Sequence, residues 1–199
     1  MAGRSLRRGV LVAMVAVGLW QVGHGAWIYA KAYLGQLLLQ RAWARTLAGE
    51  SRARPWPWAD TWPVARLRVP AHGADLIVLH GVSGRTLAWA PGHAGGSARP
   101  GAPGTAIVSG HRDTHFRFLE RLQPGDEVVV DTPGRPSARF HVREATVVDS
   151  RTAVIRREVG MAALVLVTCY PFDALRPGGP LRYVVAAEAS AEARSTSAD

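Results

Sequence analysis

Cys169 is the only cysteine in a chain of 199 residues. It closes an apolar run, Leu164 to Thr168, that reads as a buried β-strand. Tyr170 and Pro171 stop that strand, because proline lacks the ladder N–H and restricts the residue before it. The thiol is therefore expected at a strand end, where a loop opens and a substrate can reach it. Pro177 to Pro180 turns the chain, and Leu181 to Ala187 reads as a second strand with Arg182 at its start. A third run, Thr105 to Gly110, is a short apolar strand that passes through glycine into His111.

Cysteine, histidine and arginine are what thiol-based acyl transfer needs. The thiolate is the nucleophile, an imidazole protonates the leaving amine, and a fixed cation stabilises the oxyanion. Taken singly, each residue has a plainer reading: a lone cysteine is usually a small buried hydrophobe. Their shared placement at strand ends favours chemistry. Of the seven histidines, His24 falls in the apolar N-terminal run, His72 and His93 in loops, and His80 and His141 at or within strands. His111 alone follows a buried-looking strand through a glycine. His115, four residues on, opens a zinc reading with His111 and Cys169. The Arg-Asp-Thr between the histidines lacks the glutamate of the His-Glu-x-x-His hydrolases. Among the arginines, Arg176 falls in a turn-rich loop. Arg182 begins a strand, where a planar fork is better fixed for an oxyanion.

The elements that must position these residues lie in the second half of the chain. Short strand-like runs with Gly/Pro turns between them cover Val64–Val69, Asp75–Leu79, Thr105–Ser109, Glu127–Asp131, Ala138–Asp149, Ala163–Cys169 and Leu181–Ala187. This pattern is all-β and argues for a closed barrel or a sandwich. Gly92 to Gly104 reads as a loop, and Phe116 to Leu122 as a short helix ended by Pro124 and Gly125.

The formal charge of +9 is unevenly placed. Residues 1–55 hold eight Lys/Arg and one acid, whereas residues 56–199 hold sixteen arginines and fourteen acids. No basic stripe interleaved with aromatics occurs in the second part, so nucleic-acid binding is not expected. Arg4, Arg7 and Arg8 precede an apolar run from Gly9 to about Ile28, long enough to cross a bilayer as a helix. Trp20, Trp27, Tyr29 and Tyr33 sit towards its far end, and the arginines place the N-terminus in the cytoplasm. Ala30-Lys31-Ala32 resembles a signal-peptidase site. The apolar character continues past it through Leu34–Leu39, which favours a retained anchor. Either way the cysteine works outside the cytoplasm, and a single cysteine cannot form an internal disulfide.

The stretches Ser109 to Phe116 (Ser-Gly-His-Arg-Asp-Thr-His-Phe) and Val167 to Pro171 (Val-Thr-Cys-Tyr-Pro), with an arginine thirteen positions after the cysteine, resemble the sortase family of cysteine transpeptidases. The likeness is closest to the membrane-anchored Gram-negative forms and the class D forms. It covers most of residues 64 to 188. It implies a closed eight-stranded sortase-like β-barrel with short helices, preceded by an N-terminal transmembrane helix. The organisation expected is a basic cytoplasmic tail over 1–8, a signal-anchor helix over 9–30, a helical stalk and Pro/Trp linker over 31–63, the catalytic barrel over 64–188 and a disordered tail over 189–199.

The resemblance further implies Cys169 as nucleophile, His111 as acid and base, and Arg182 as oxyanion donor. Thr168 would bind substrate or support the oxyanion through its backbone, and Arg151 to Gly160 would wall the groove. The substrate would be a protein ending in an LPxTG-like sorting signal and the acceptor an amine, with no metal or cofactor. The location implied is a bacterial inner membrane, with the barrel in the periplasm. An L,D-transpeptidase or another extracytoplasmic cysteine peptidase is the rival enzyme reading. A membrane-tethered barrel that only binds is the non-enzymatic one.

Overall fold

The computed structural model describes residues 2–155, 160–174 and 178–190. It divides into two compact units, residues 1–38 and 39–199. No proline occurs before Pro55, so nothing in the N-terminal sequence interrupts a helix, and α1 runs unbroken from Ala2 to Leu47. In the first unit its apolar side chains, Val12, Leu19, Trp20 and Val22 among them, are exposed to solvent. The helix is long and apolar enough to cross a membrane. The residues expected as tail, anchor and the first part of the stalk thus lie on one helix. It ends where Gly49 adopts φ +97°, with the Glu50 N–H bonded to the Arg45 carbonyl at 3.0 Å, a left-handed C-terminal cap.

The second unit is an eight-stranded closed barrel. Its strands are β1 (Pro63–Val69), β2 (Ala74–His80), β3 (Gly92–His93), β4 (Gly104–Ser109), β5 (Glu127–Asp131), β6 (Ala138–Asp149), β7 (Ala162–Cys169) and β8 (Leu181–Ala189). They close in the order β1-β2-β3-β4-β7-β8-β6-β5. The β2–β3 and β4–β7 pairs are parallel and the other six antiparallel. Alternation places every second side chain inside: Ala65, Leu67 and Val69 of β1 meet Val108 of β4, Phe140 of β6, Leu164 and Leu166 of β7 and Val185 of β8 in one core. A 3₁₀ turn at Arg117–Arg121 contributes Phe118 and Leu119 where a short helix was expected.

Three departures from the sequence reading have physical causes. Gly92 to Gly104 does not read as strand, yet Gly92 and His93 form β3 and bridge β2 to β4. Only glycine fits there, since a Cβ on Gly92 would lie 2.1 Å from the Gly81 carbonyl oxygen. His93, expected in a loop, is instead buried in that strand, its Nε2 2.8 Å from the Ala98 carbonyl. Residues 49–62, part of the expected Pro/Trp linker, pack on the barrel: Ala53, Ala59 and Thr61 are buried, and Trp56 lies 4.8 Å from Trp89. Trp62 stacks on His80 at 4.1 Å with the Arg52 guanidinium 5.0 Å from its own ring centroid. Of the three tryptophans in this segment, only Trp58 is exposed. Upstream, Leu39 and Trp43 of α1 join Ile77, Leu79 and Ala90 in a second apolar cluster.

Candidate active site

Cys169 is the last residue of β7 and stands in register with Arg182 of β8, whose other neighbour across the sheet is Val148 of β6. Residues directly opposite in an antiparallel ladder project from the same face. The inward positions here are Leu164, Leu166 and Thr168, so Cys169 and Arg182 share the outer face. The thiol is free and half-buried.

The histidine arrives on the other side of β7. β4 and β7 run parallel as far as the pair Ser109–Val167, and His111 and Cys169 each lie two residues beyond it. The Gly110 N–H donates to the Val167 carbonyl at 3.1 Å. The Thr168 hydroxyl, fully buried, donates to the Gly110 carbonyl at 2.7 Å. That is a structural use of the Thr168 side chain, which tethers the residue before the histidine to the residue before the cysteine. His111 itself is exposed. Gly110 is required because a Cβ there would come within 2.8 Å of the buried Phe116 ring.

Arg182 donates twice through Nη1, to the Gly179 carbonyl at 2.6 Å and the Leu181 carbonyl at 2.8 Å. Its Nε and Nη2 have no hydrogen-bond partner among the described residues, so donors remain for a ligand. Asp149 sits close enough that the Arg182 charge helps Arg151 hold its carboxyl below the ordinary range. Arg176, the rival cation, lies outside the described residues.

His115 is near the site but differently employed. Burial pushes its imidazole below the ordinary value, the neighbouring His111 adds to this, and a hydrogen bond to the Trp89 backbone opposes it. Among the described residues no three His, Cys, Asp or Glu side chains cluster as a metal site would require.

Two features went unread in the sequence. Arg112 is buried and bonded to the carbonyls of Pro171 and Ala174. Behind Cys169 an aromatic group closes the barrel end, Phe172 meeting Tyr183 edge-on at 5.1 Å and Tyr170 stacking over Tyr183 at 6.2 Å. The outer face that carries Cys169 and Arg182 continues into a cavity of about 590 Å³. Val165, Val184 and Ala186 form its floor, and Ala153 to Ile155, after β6, its side. Residues 156–159 of the expected groove wall lie outside the described residues.

The closed barrel places Cys169, His111 and Arg182 at the ends of three adjoining strands. Residues 67–190 match the sortase domain, and the chain belongs to the sortase family. It is 30% identical over 120 residues to sortase D of Bacillus subtilis (strain 168), a match covering 60% of each chain. A sortase D5 transpeptidase from Clostridium perfringens has the same fold, with TM-score 0.58 and 24% identity over 74% of this chain and 86% of that one. Sortase A from Corynebacterium diphtheriae gives TM-score 0.59 and 25% identity, over 67% and 63% of the two chains.

Proposed function

We propose that this protein is a membrane-anchored transpeptidase that cleaves an LPxTG-like C-terminal sorting signal and passes the target protein to an amine. The observation that carries this reading is the Cys169–Arg182 register pair, with His111 brought alongside by the β4–β7 ladder. Cys169 Sγ attacks the carbonyl of the Thr-Gly bond, and Arg182 donates to the oxyanion that forms. Collapse of the tetrahedral intermediate breaks the C–N bond, and His111 gives the departing glycine amine its proton. A thioester remains on Cys169. The acceptor amine attacks it, His111 takes the amine's proton, and the thiolate leaves. Thr168 contributes through its backbone beside the thiol.

The exposed apolar helix supports an anchor with a cytoplasmic N-terminus and the barrel on the far side, in the periplasm of a bacterium with two membranes. Incubation with an LPxTG-type peptide and an amine is expected to give a cleaved product, a transfer product and a trappable thioester on Cys169. No product with any sorting-signal peptide would overturn the proposal and turn attention to cell-wall peptides as substrates. Protease added to spheroplasts is expected to degrade the barrel. Its protection would contradict the topology.

A further inference from the structure

Arg112 immediately follows His111, and its side chain is only 6% exposed. Its Nη1 donates to the Pro171 carbonyl, its Nη2 to the Ala174 carbonyl at 2.7 Å, and its Nε to the Asp113 carboxylate at 3.2 Å. Pro171 and Ala174 are the two ends of one turn, with the Ala174 N–H 3.4 Å from the Pro171 carbonyl. That turn carries the chain away from Cys169. On the other flank, Thr168 is bonded to Gly110. The residues before and after His111 are therefore both fastened to the segment around Cys169.

A buried cation is costly unless its donors are satisfied, and here every nitrogen of the guanidinium has a partner. Two carbonyls three residues apart need two donors held in one plane, which a guanidinium supplies and an ammonium does not. Neither carbonyl belongs to a strand, so no ladder hydrogen bond would replace the clamp.

We propose that Arg112 is a positioning residue for acyl transfer, its fork clamping the Pro171–Ala174 turn to the end of β4 and so setting the separation of His111 and Cys169. This rests on the transpeptidase reading. Among the described residues, the ionisable groups on the elements around the pair include Asp113 and His115 on the histidine segment, Asp173 in the clamped turn, Arg182 and Tyr183 on β8, Asp149 on β6, Glu120 in the 3₁₀ turn and Tyr170 after β7.

The test compares Arg112→Ala and Arg112→Lys with the wild type in two ways. The first is kcat and KM on an LPxTG-type peptide. The second is the rate of Cys169 alkylation by iodoacetamide as a function of pH, which needs no substrate. An ångström-scale misplacement of reacting groups costs about 10²-fold in rate. A kcat loss of that order is expected in both variants, with KM little changed and the alkylation profile displaced. Free guanidinium is expected to recover part of the Arg112→Ala loss.

Wild-type kcat and an unmoved alkylation profile in Arg112→Lys would overturn the proposal. If Arg112→Ala fails to fold, Arg112→Lys decides, since it keeps the charge and most of the stem. If the wild type cleaves no sorting-signal peptide, the transpeptidase reading fails and the alkylation profile still decides whether Arg112 positions the thiol.

Discussion

Cys169 and Arg182 stand directly opposite each other across the β7–β8 ladder, projecting from the same face of the sheet. Their relation is therefore set by strand pairing, and a one-residue slip of β8 would carry the guanidinium inside the barrel. Arg182→Ala is expected to lower kcat by about 10²–10³, the usual cost of one oxyanion donor. Arg182→Lys is expected to restore little, because the planar fork is lost. Arg176→Ala is expected to change mainly KM. Steady-state kinetics on one sorting-signal peptide check all three, and a kcat collapse confined to Arg176→Ala would reassign the cation.

Cys169→Ala is expected to abolish cleavage and thioester formation while the barrel stays folded, since little volume is lost at a half-buried strand end. Mass spectrometry for the acyl adduct, with circular dichroism for the fold, checks this. A variant that still turns over would remove the thiol from the mechanism.

Gly110→Ala brings a methyl within 2.8 Å of the Phe116 ring, which is fully buried in the core. Overpacking of this kind costs about 1–3 kcal/mol, and here the backbone that yields is the one leading into His111. Lower stability in urea and lower kcat are expected together. Loss of stability with full activity would show that the strain relaxes into the core instead.

His111→Ala is expected to be nearly inactive, whereas His115→Ala keeps much of the activity. The His115 imidazole is held below its ordinary value by burial and by His111. Below the ordinary histidine value of about 6.5, the unfolded chain binds a proton that the folded chain refuses. Stability therefore falls as the pH drops from there towards the folded value, and levels off beneath it. Melting temperatures of the wild type and His115→Gln across this window should converge as the pH is lowered. Parallel curves would mean that His115 titrates normally.

Asp126 shifts in the same direction, so its effect also lowers stability as the pH falls, but in a more acidic window. The Gln123 N–H and His72 Nε2, both at 2.9 Å from its Oδ2, hold the carboxyl below the usual range. Its contribution is present above the ordinary aspartate value of about 3.9 and is lost as the pH falls through the lower, folded value. Asp126→Asn is expected to be less stable than the wild type at neutral pH and to approach it in acid. A difference that does not shrink in acid would assign the effect to geometry rather than charge.

The placement of Cys169, His111 and Arg182 was legible because each stands at one end of a short apolar strand beside a Gly or Pro break, a signal confined to a few neighbouring positions. The strands were legible through alternation, which β1 follows residue by residue; that pattern left barrel and sandwich open, and the family resemblance chose the barrel. β3 was not, since two residues carry no period and its glycine is required by a backbone contact from Gly81. Arg112 was hidden for a related reason. Its partners are main-chain carbonyls about sixty positions away, and a carbonyl has no residue type to read. The packing of segment 49–62 was not legible because Pro and Trp together suggest an extended spacer and leave open what the tryptophans meet, whereas Trp56 and Trp62 lie on the barrel.

That last packing changes what counts as the edge of the folded domain. The final turns of α1 bury Leu39 and Trp43 against Ile77 and Leu79, and Arg45 reaches the Arg54 carbonyl at 2.5 Å. A protease cut anywhere in residues 49–62 would therefore leave a nicked protein whose two pieces stay together, rather than shed a free barrel. Signal-peptidase cleavage after Ala32 falls upstream of every one of these contacts, so a released form and a tethered form would carry the same folded domain.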